Sequence, residues 1–242
     1  MRIQGRQALR YNRLLPSVTL DVLILAAFDP ELAAFSAALG DGMAATVGGL
    51  RVAARITGIG LPAAAVGAAT QIGELEPRAV VLVGTCGAYM TSGLAIGDAI
   101  AARKLCLVDP ASLAGEAQFP EPMTIAAETH GSMTAALAAL GARPCCVATT
   151  LAITVDDAAA ARIAAGSGAE VEHLEAQGVA TACAARGVAF AAVFGVANFV
   201  GARGRAEWRA HHRHAEAVAG ERVLRWLREG AIGLPASPVR PA

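Results

Sequence analysis

The sequence predicts an α/β fold, a single domain of three layers (α/β/α) built on a mixed, largely parallel central sheet. Three observations predict it. Short apolar runs alternate with longer segments of helical periodicity along most of the chain. Several runs are apolar at odd and even positions alike, as strands covered on both faces must be. Of 242 residues, 55% are apolar but only 4% are aromatic, so the core is made of Ala, Val, Leu and Ile, which suit close helix-on-sheet packing.

The elements follow in order. Residues 1–17 read as an N-terminal arm. "VTLDVLILAAF" (18–28) is a buried strand. "DPELAAFSAAL" opens a helix, with Asp29 as N-cap, Pro30 at the first helical position and Glu31 in the first turn. "LRVAARITGIG" is a strand closed by a glycine turn, and "LPAAAVGAATQIGEL" is a helix. "RAVVLVGTCGAY" reads as a central, parallel strand. "GLAIGDAIAARKLCLVD" holds one or two strands, and 110–122 reads as loop. Helices near 133–140 and 156–165 enclose a strand near 146–149. "VEHLEAQGVATACAARGVAF" reads as a helix, headed by Glu172 and Glu175, that feeds the strand "VAFAAVFGVANFVG". The last helix runs from about 205 to 228. The domain spans 18–230, with no repeat or linker, and residues 231–242 read as a Pro-rich, disordered tail.

Composition narrows the function. The formal net charge is zero, which argues against a protein that grips nucleic acid by charge. Five cysteines with no C-x-x-C fit reduced thiols and a cytoplasmic setting. Arg2, Arg6, Arg10 and Arg13 before "LLPSVTLDVLILAAF" faintly resemble an export signal. Asp21 and Asp29 interrupt the apolar run, however, and it reads better as a first strand. No run reaches the ~20 apolar residues of a membrane span. His211, His212 and His214 lack the companions of a metal motif, and the dinucleotide glycine pattern is missing. No metal or cofactor is expected.

In an open α/β sheet, ligands bind at the carboxyl ends of the strands. The loops to watch are therefore "AAFDPE", "TGIGLP", "GTCGAY" and "VANFVG". "TGIGLPAAAVGAAT", "VGTCGAY", "IGDAI" and "LEAQGVATACAARGVAF", in that order, resemble the glycine turn, strand end, Gly-Asp step and Glu-Ala helix of the nucleoside phosphorylase and nucleosidase superfamily. The resemblance covers about 18–226.

It implies cleavage of a purine nucleoside at its N-glycosidic bond. Such a reaction needs a grip on the sugar, a contact to the departing base and a nucleophile on the opposite face. Carried residue by residue, the resemblance makes Glu31 the base that activates water and Glu175 the ribose-binding carboxylate. Leu174 stands beneath the sugar in place of methionine, and His173 stands where relatives carry an acid. Thr85, Cys86 and Gly87 form the adjoining wall. Asn198 falls where many relatives use aspartate against the purine. An amide donates N–H bonds but cannot give up a proton near neutral pH, which favours a 6-oxopurine and a futalosine-hydrolase-like substrate. Phe199 is a candidate base-stacking residue. "GARGRAEW" resembles a segment of futalosine-hydrolase-like sequences, with Arg203, Arg205 or Arg209 available to an acidic substrate tail and Trp208 to wall the pocket.

Leu82 stands where many phosphorylases carry an arginine for phosphate, so hydrolysis is preferred over phosphorolysis. The alternatives are a phosphorylase, an adenine-specific methylthioadenosine/adenosylhomocysteine nucleosidase, and a non-catalytic nucleoside-binding protein. The resemblance further implies a homodimer or larger homo-oligomer, with no nucleic-acid or membrane partner.

Overall fold

The computed structural model describes residues 20–236. The expected arm and the first residues of the first strand lie outside the described residues, as do 237–242 of the expected tail. The first strand, β1, is Val22–Ala26. A 3-10 helix, Asp29–Phe35, runs straight into α1, Ser36–Leu39. Asp29 is the first residue of that 3-10 helix and makes no capping bond. The expected cap is therefore a misreading, because the tighter helix begins one residue earlier. A hairpin follows, β2 (Ala44–Val47) and β3 (Leu50–Ile56), then α2 (Leu61–Leu75) and β4 (Ala79–Ala88). After β5 (Ala99–Leu107) the expected loop contains a helical turn, α3 (Pro110–Leu113), which Asp109 caps through Ala111 and Ser112. Then come β6 (Ala126–Glu128), α4 (Gly131–Ala139), β7 (Arg143–Thr149) and α5 (Asp157–Ser167). The chain ends with β8 (Val171–Glu172), α6 (Ala176–Arg186), β9 (Ala189–Phe199) and α7 (Gly204–Arg228).

The sheet is mixed. Five of its nine pairings are parallel: β1–β3, β1–β4, β4–β9, β5–β7 and β7–β8. One half is open, in the order β2-β3-β1-β4. The other half closes on itself, because β4 pairs with both β8 and β9, β9 with β5, β5 with β7, and β7 with β8. Closure leaves no free edge in that half.

Alternation along the strands explains the unbroken apolar runs. Val22, Ile24, Val81 and Val193 join one core, which α4 and α7 cover with Met133, Leu137, Val223 and Trp226. Leu23, Leu25, Leu82 and Phe194 join a second core against Ala64 and Ala68 of α2 and Val179 and Cys183 of α6. Small residues let these layers approach. A Cβ on Gly195 of β9 would collide with the Ala215 carbonyl of α7, so only glycine permits this backbone contact. The start of the expected tail also belongs to the domain. Ala231 is buried, and the Pro235 carbonyl accepts from Arg78 Nη2 at 2.6 Å and from its Nε at 3.1 Å.

Candidate functional site

A cavity of about 580 Å³ opens where β1, β4 and β9 end, walled on its other sides by residues 153–155, 172–175 and the start of α7. It is lined by Glu31, Thr85, Cys86, Gly87, His173, Leu174, Glu175 and Asn198, all anticipated from the sequence.

Glu31 reaches the cavity from the 3-10 helix just beyond β1. Its side chain is turned back onto the strand ends. Oε2 accepts the N–H of Ala27 at 3.0 Å, and Oε1 accepts the N–H of Thr85 at 3.1 Å. Gly84 makes room for it, since a Cβ there would lie 2.5 Å from Oε1. Glu31 is only 4% exposed. Burial pushes its carboxyl up to about 8; the two N–H donors oppose that rise, while the charges of Glu175 and Glu216 add to it.

Glu175 sits at the N-cap position of α6 but does not cap it. Oε1 instead accepts the N–H of Gly60, in the turn before α2, at 2.7 Å, and the residue is 6% exposed. His173 lies beneath it, with its ring stacked on Phe194 at a centroid distance of 3.9 Å. Nδ1 accepts the N–H of Glu175 at 3.2 Å, which leaves the ring proton on Nε2. Nδ1 is also 3.2 Å from Glu175 Oε2, but that contact is an ion pair only for a charged ring. Burial holds the imidazole below its ordinary value despite the carboxylate beside it, so the ring is neutral.

Glu172 was expected in the first turn of a helix. It lies instead in β8, paired with Gly87 and Ala148. Oε2 accepts from Tyr89 Oη at 3.1 Å and from Thr154 Oγ1 at 2.6 Å, and Oε1 accepts the N–H of Thr154 at 3.1 Å. The carboxylate thus fastens segment 153–155 over the cavity. Ile153, Thr154 and Val155 form a wall that the sequence reading missed. Its one sequence signal is a pair of apolar residues flanking a threonine outside any helix or strand.

Asn198 is brought in by a bulge. The β4–β9 register runs from Cys86 opposite Val196 to Gly87 opposite Asn198, skipping a residue, and such a bulge re-aims the side chains beyond it. Asn198 donates one amide N–H to the Phe199 carbonyl at 2.8 Å, leaving its second N–H and its oxygen free for a ligand. Phe199 does not line the cavity, contrary to expectation; its ring packs against the second core. Cys86 lines the cavity, but burial pushes its thiol well above the ordinary range, so it offers no thiolate.

From α7, Arg205, Trp208 and Arg209 reach the cavity, whereas Arg203 is paired with Glu207 at 3.5 Å. Trp208 donates from Nε1 to Thr85 Oγ1 at 3.1 Å and stacks on His212 at 4.4 Å, and His212 in turn lies 3.2 Å from Glu216. Among the described residues no cluster of side chains has a metal-binding arrangement.

Comparison with known proteins agrees with this architecture. A family model described as the phosphorylase superfamily matches residues 21–229. A search of curated protein sequences returned no match. Among solved structures, the chain is similar to a 5′-methylthioadenosine/S-adenosylhomocysteine nucleosidase from Colwellia psychrerythraea in complex with adenine. The TM-score is 0.78 at 20% identity, over 92% of this chain and 98% of that one. The nucleosidase of the same name from Neisseria meningitidis, in complex with methylthio-immucillin-A, gives 0.76 at 18%, over 86% and 99%. Futalosine hydrolase of Helicobacter pylori gives 0.75 at 16%, over 85% and 96%.

Proposed function

Because the chain belongs to the phosphorylase superfamily, we propose that it hydrolyses the N-glycosidic bond of a purine nucleoside, releasing free base and sugar. One observation carries this reading: Glu31, Glu175 and Asn198, distant in sequence, line one cavity of a size for a nucleoside. The solved relatives named for nucleosidase and hydrolase activity support it at the level of fold.

Glu175 accepts hydrogen bonds from the two ribose hydroxyls, and its charge favours the positive character that the sugar gains as the bond lengthens. Glu31 takes a proton from water as the water oxygen bonds to the anomeric carbon. The electrons of the broken C–N bond go to the purine, which Asn198 meets through its free N–H. A carboxyl raised to about 8 suits a base that works near neutral pH. The amide favours an acceptor on the base, hence a 6-oxopurine. Water is favoured over phosphate for two reasons. Leu82 is fully buried and supplies no cation, and the floor beside Thr85 is an acid and an indole.

The cytoplasmic setting is part of this reading, supported by five free cysteines. Assembly with a second copy is too, supported by exposed Ile59, Leu151, Ile153 and Val155 at and beside the rim. Among the described residues no helix is long and apolar enough to cross a membrane.

The test is purine release from a panel of inosine-type and adenosine-type nucleosides, with and without phosphate. Phosphate-independent release from an inosine-type substrate is the expected result. Release that requires phosphate points to a phosphorylase, and turnover of only the adenine analogues overturns the reading of Asn198. Binding without turnover, unchanged in Glu31→Gln, points to a non-catalytic binding protein.

A further inference from the structure

We propose that the mouth of the cavity selects a nucleoside carrying an anionic group, a carboxylate or a phosphate, at the 5′ end of its sugar, and that Arg205 and Arg209 grip that group. The inference rests on the nucleosidase reading and narrows its substrate class.

Arg205 and Arg209 both line the cavity from α7, one helical turn apart and flanking Trp208. Neither has a carboxylate partner among the described residues. Arg203 and Arg225 on the same helix do, at 3.5 Å from Glu207 and 2.8 Å from Glu229. The helix itself disfavours the pair. Arg205 stands in the first turn, where the macrodipole is positive. Arg209 follows four residues later and Arg213 four after that, a like-charged column that opposes helix formation. Two solvent-facing cations with no folding role, placed on a cavity wall, call for an anion from outside.

The acids of the cavity do not fill that need. Glu172 is held by Tyr89 and Thr154, Glu175 by Gly60, and Glu31 by Ala27 and Thr85. The remaining rim, Ile59, Ile153 and Val155, is apolar and would hold a neutral substituent unaided. On the nucleoside, the anomeric carbon bears the purine and the two secondary hydroxyls face Glu175. The 5′ carbon is the position left to carry the anion. Free phosphate is the other source of the same chemistry.

The experiment compares kcat/KM for inosine, inosine 5′-carboxylate and inosine 5′-phosphate, with and without added phosphate, in the intact chain and in the double variant Arg205→Gln/Arg209→Gln. An acidic nucleoside is expected to outperform inosine by about tenfold or more, and the double variant to bring that ratio near one. A ratio that the substitutions leave unchanged overturns the proposal. So does stimulation of inosine cleavage by free phosphate that disappears in the double variant. Calorimetric titration with the same three compounds reads the site without turnover. If no nucleoside is cleaved, tighter binding of an acidic one that the double variant loses still supports the anion site while the nucleosidase reading falls. Equal binding of all three overturns the anion site.

Discussion

The floor of the cavity and its rim are built from different materials. On the floor, Glu31 and Glu175 are buried and each is held by main-chain N–H groups at the ends of strands and turns. At the rim, Ile59, Ile153 and Val155 are 66%, 65% and 68% exposed, and Arg205 and Arg209 reach out unpaired. Backbone donors are placed by the sheet and cannot be altered without altering the fold. Exposed side chains can be exchanged while the sheet stays intact. The floor is therefore where bond breaking is fixed, and the rim is where substrates are told apart.

The sharpest way to break this division is at the floor. Glu31→Gln keeps the shape but removes the base, and kcat should fall by about 10²–10⁴-fold with the thermal midpoint maintained or raised. A variant within a few-fold of the parent would remove Glu31 from the chemistry. Gly84→Ala comes next. The new methyl lies 2.5 Å from Glu31 Oε1, so the carboxyl must shift, and a loss of about 10²-fold in kcat is expected. Retention of full rate would mean that the position of Glu31 is not critical.

Smaller effects sharpen the contrast. If Glu31 acts as the ionised base, kcat/KM should rise with pH and level off above about 8. Stability should move the other way. Between the unfolded value of 4.5 and about 8, the native protein keeps a proton that the unfolded chain has lost, so stability declines as pH rises through that window. Denaturant melts at several pH values should show this slope, and Glu31→Gln should flatten it. Trp208→Phe removes only the N–H that Thr85 Oγ1 accepts, so a rate loss of a few-fold, on the order of 1 kcal/mol, is expected. Ile153→Ser, on the rim, should change stability by no more than about 0.5 kcal/mol while raising KM, and a large drop in stability there would erase the distinction between the two regions.

How far each region could be read from sequence follows the same line. Glu31, Thr85, Glu175 and Asn198 stand beside glycine turns and strand ends with strong local patterns, and these brought them to notice. The long strands and helices were legible because their apolar periodicity is local. The two-residue β8 was not, because it exists only through pairing with β4 and β7, and Glu172 was read as the head of a helix in consequence. The edge strands β2 and β6 went unread for a similar reason: each is short and half-exposed and pairs with a single neighbour. The wall at 153–155 has no periodicity, and the tie from Glu172 to Thr154 spans 18 residues. Phe199 was misjudged because a bulge one turn of the strand earlier decides which side chain faces inward.

The glycine at 195 reaches further than packing. With its backbone pressed directly on that of α7, the helix has no slack to slide or tilt, and residues 205, 208 and 209 hang from an immovable rail. A redesign of the entrance can replace the fittings on that rail one at a time. It cannot relocate the rail, so new substrates must be accommodated by the chemistry of individual side chains.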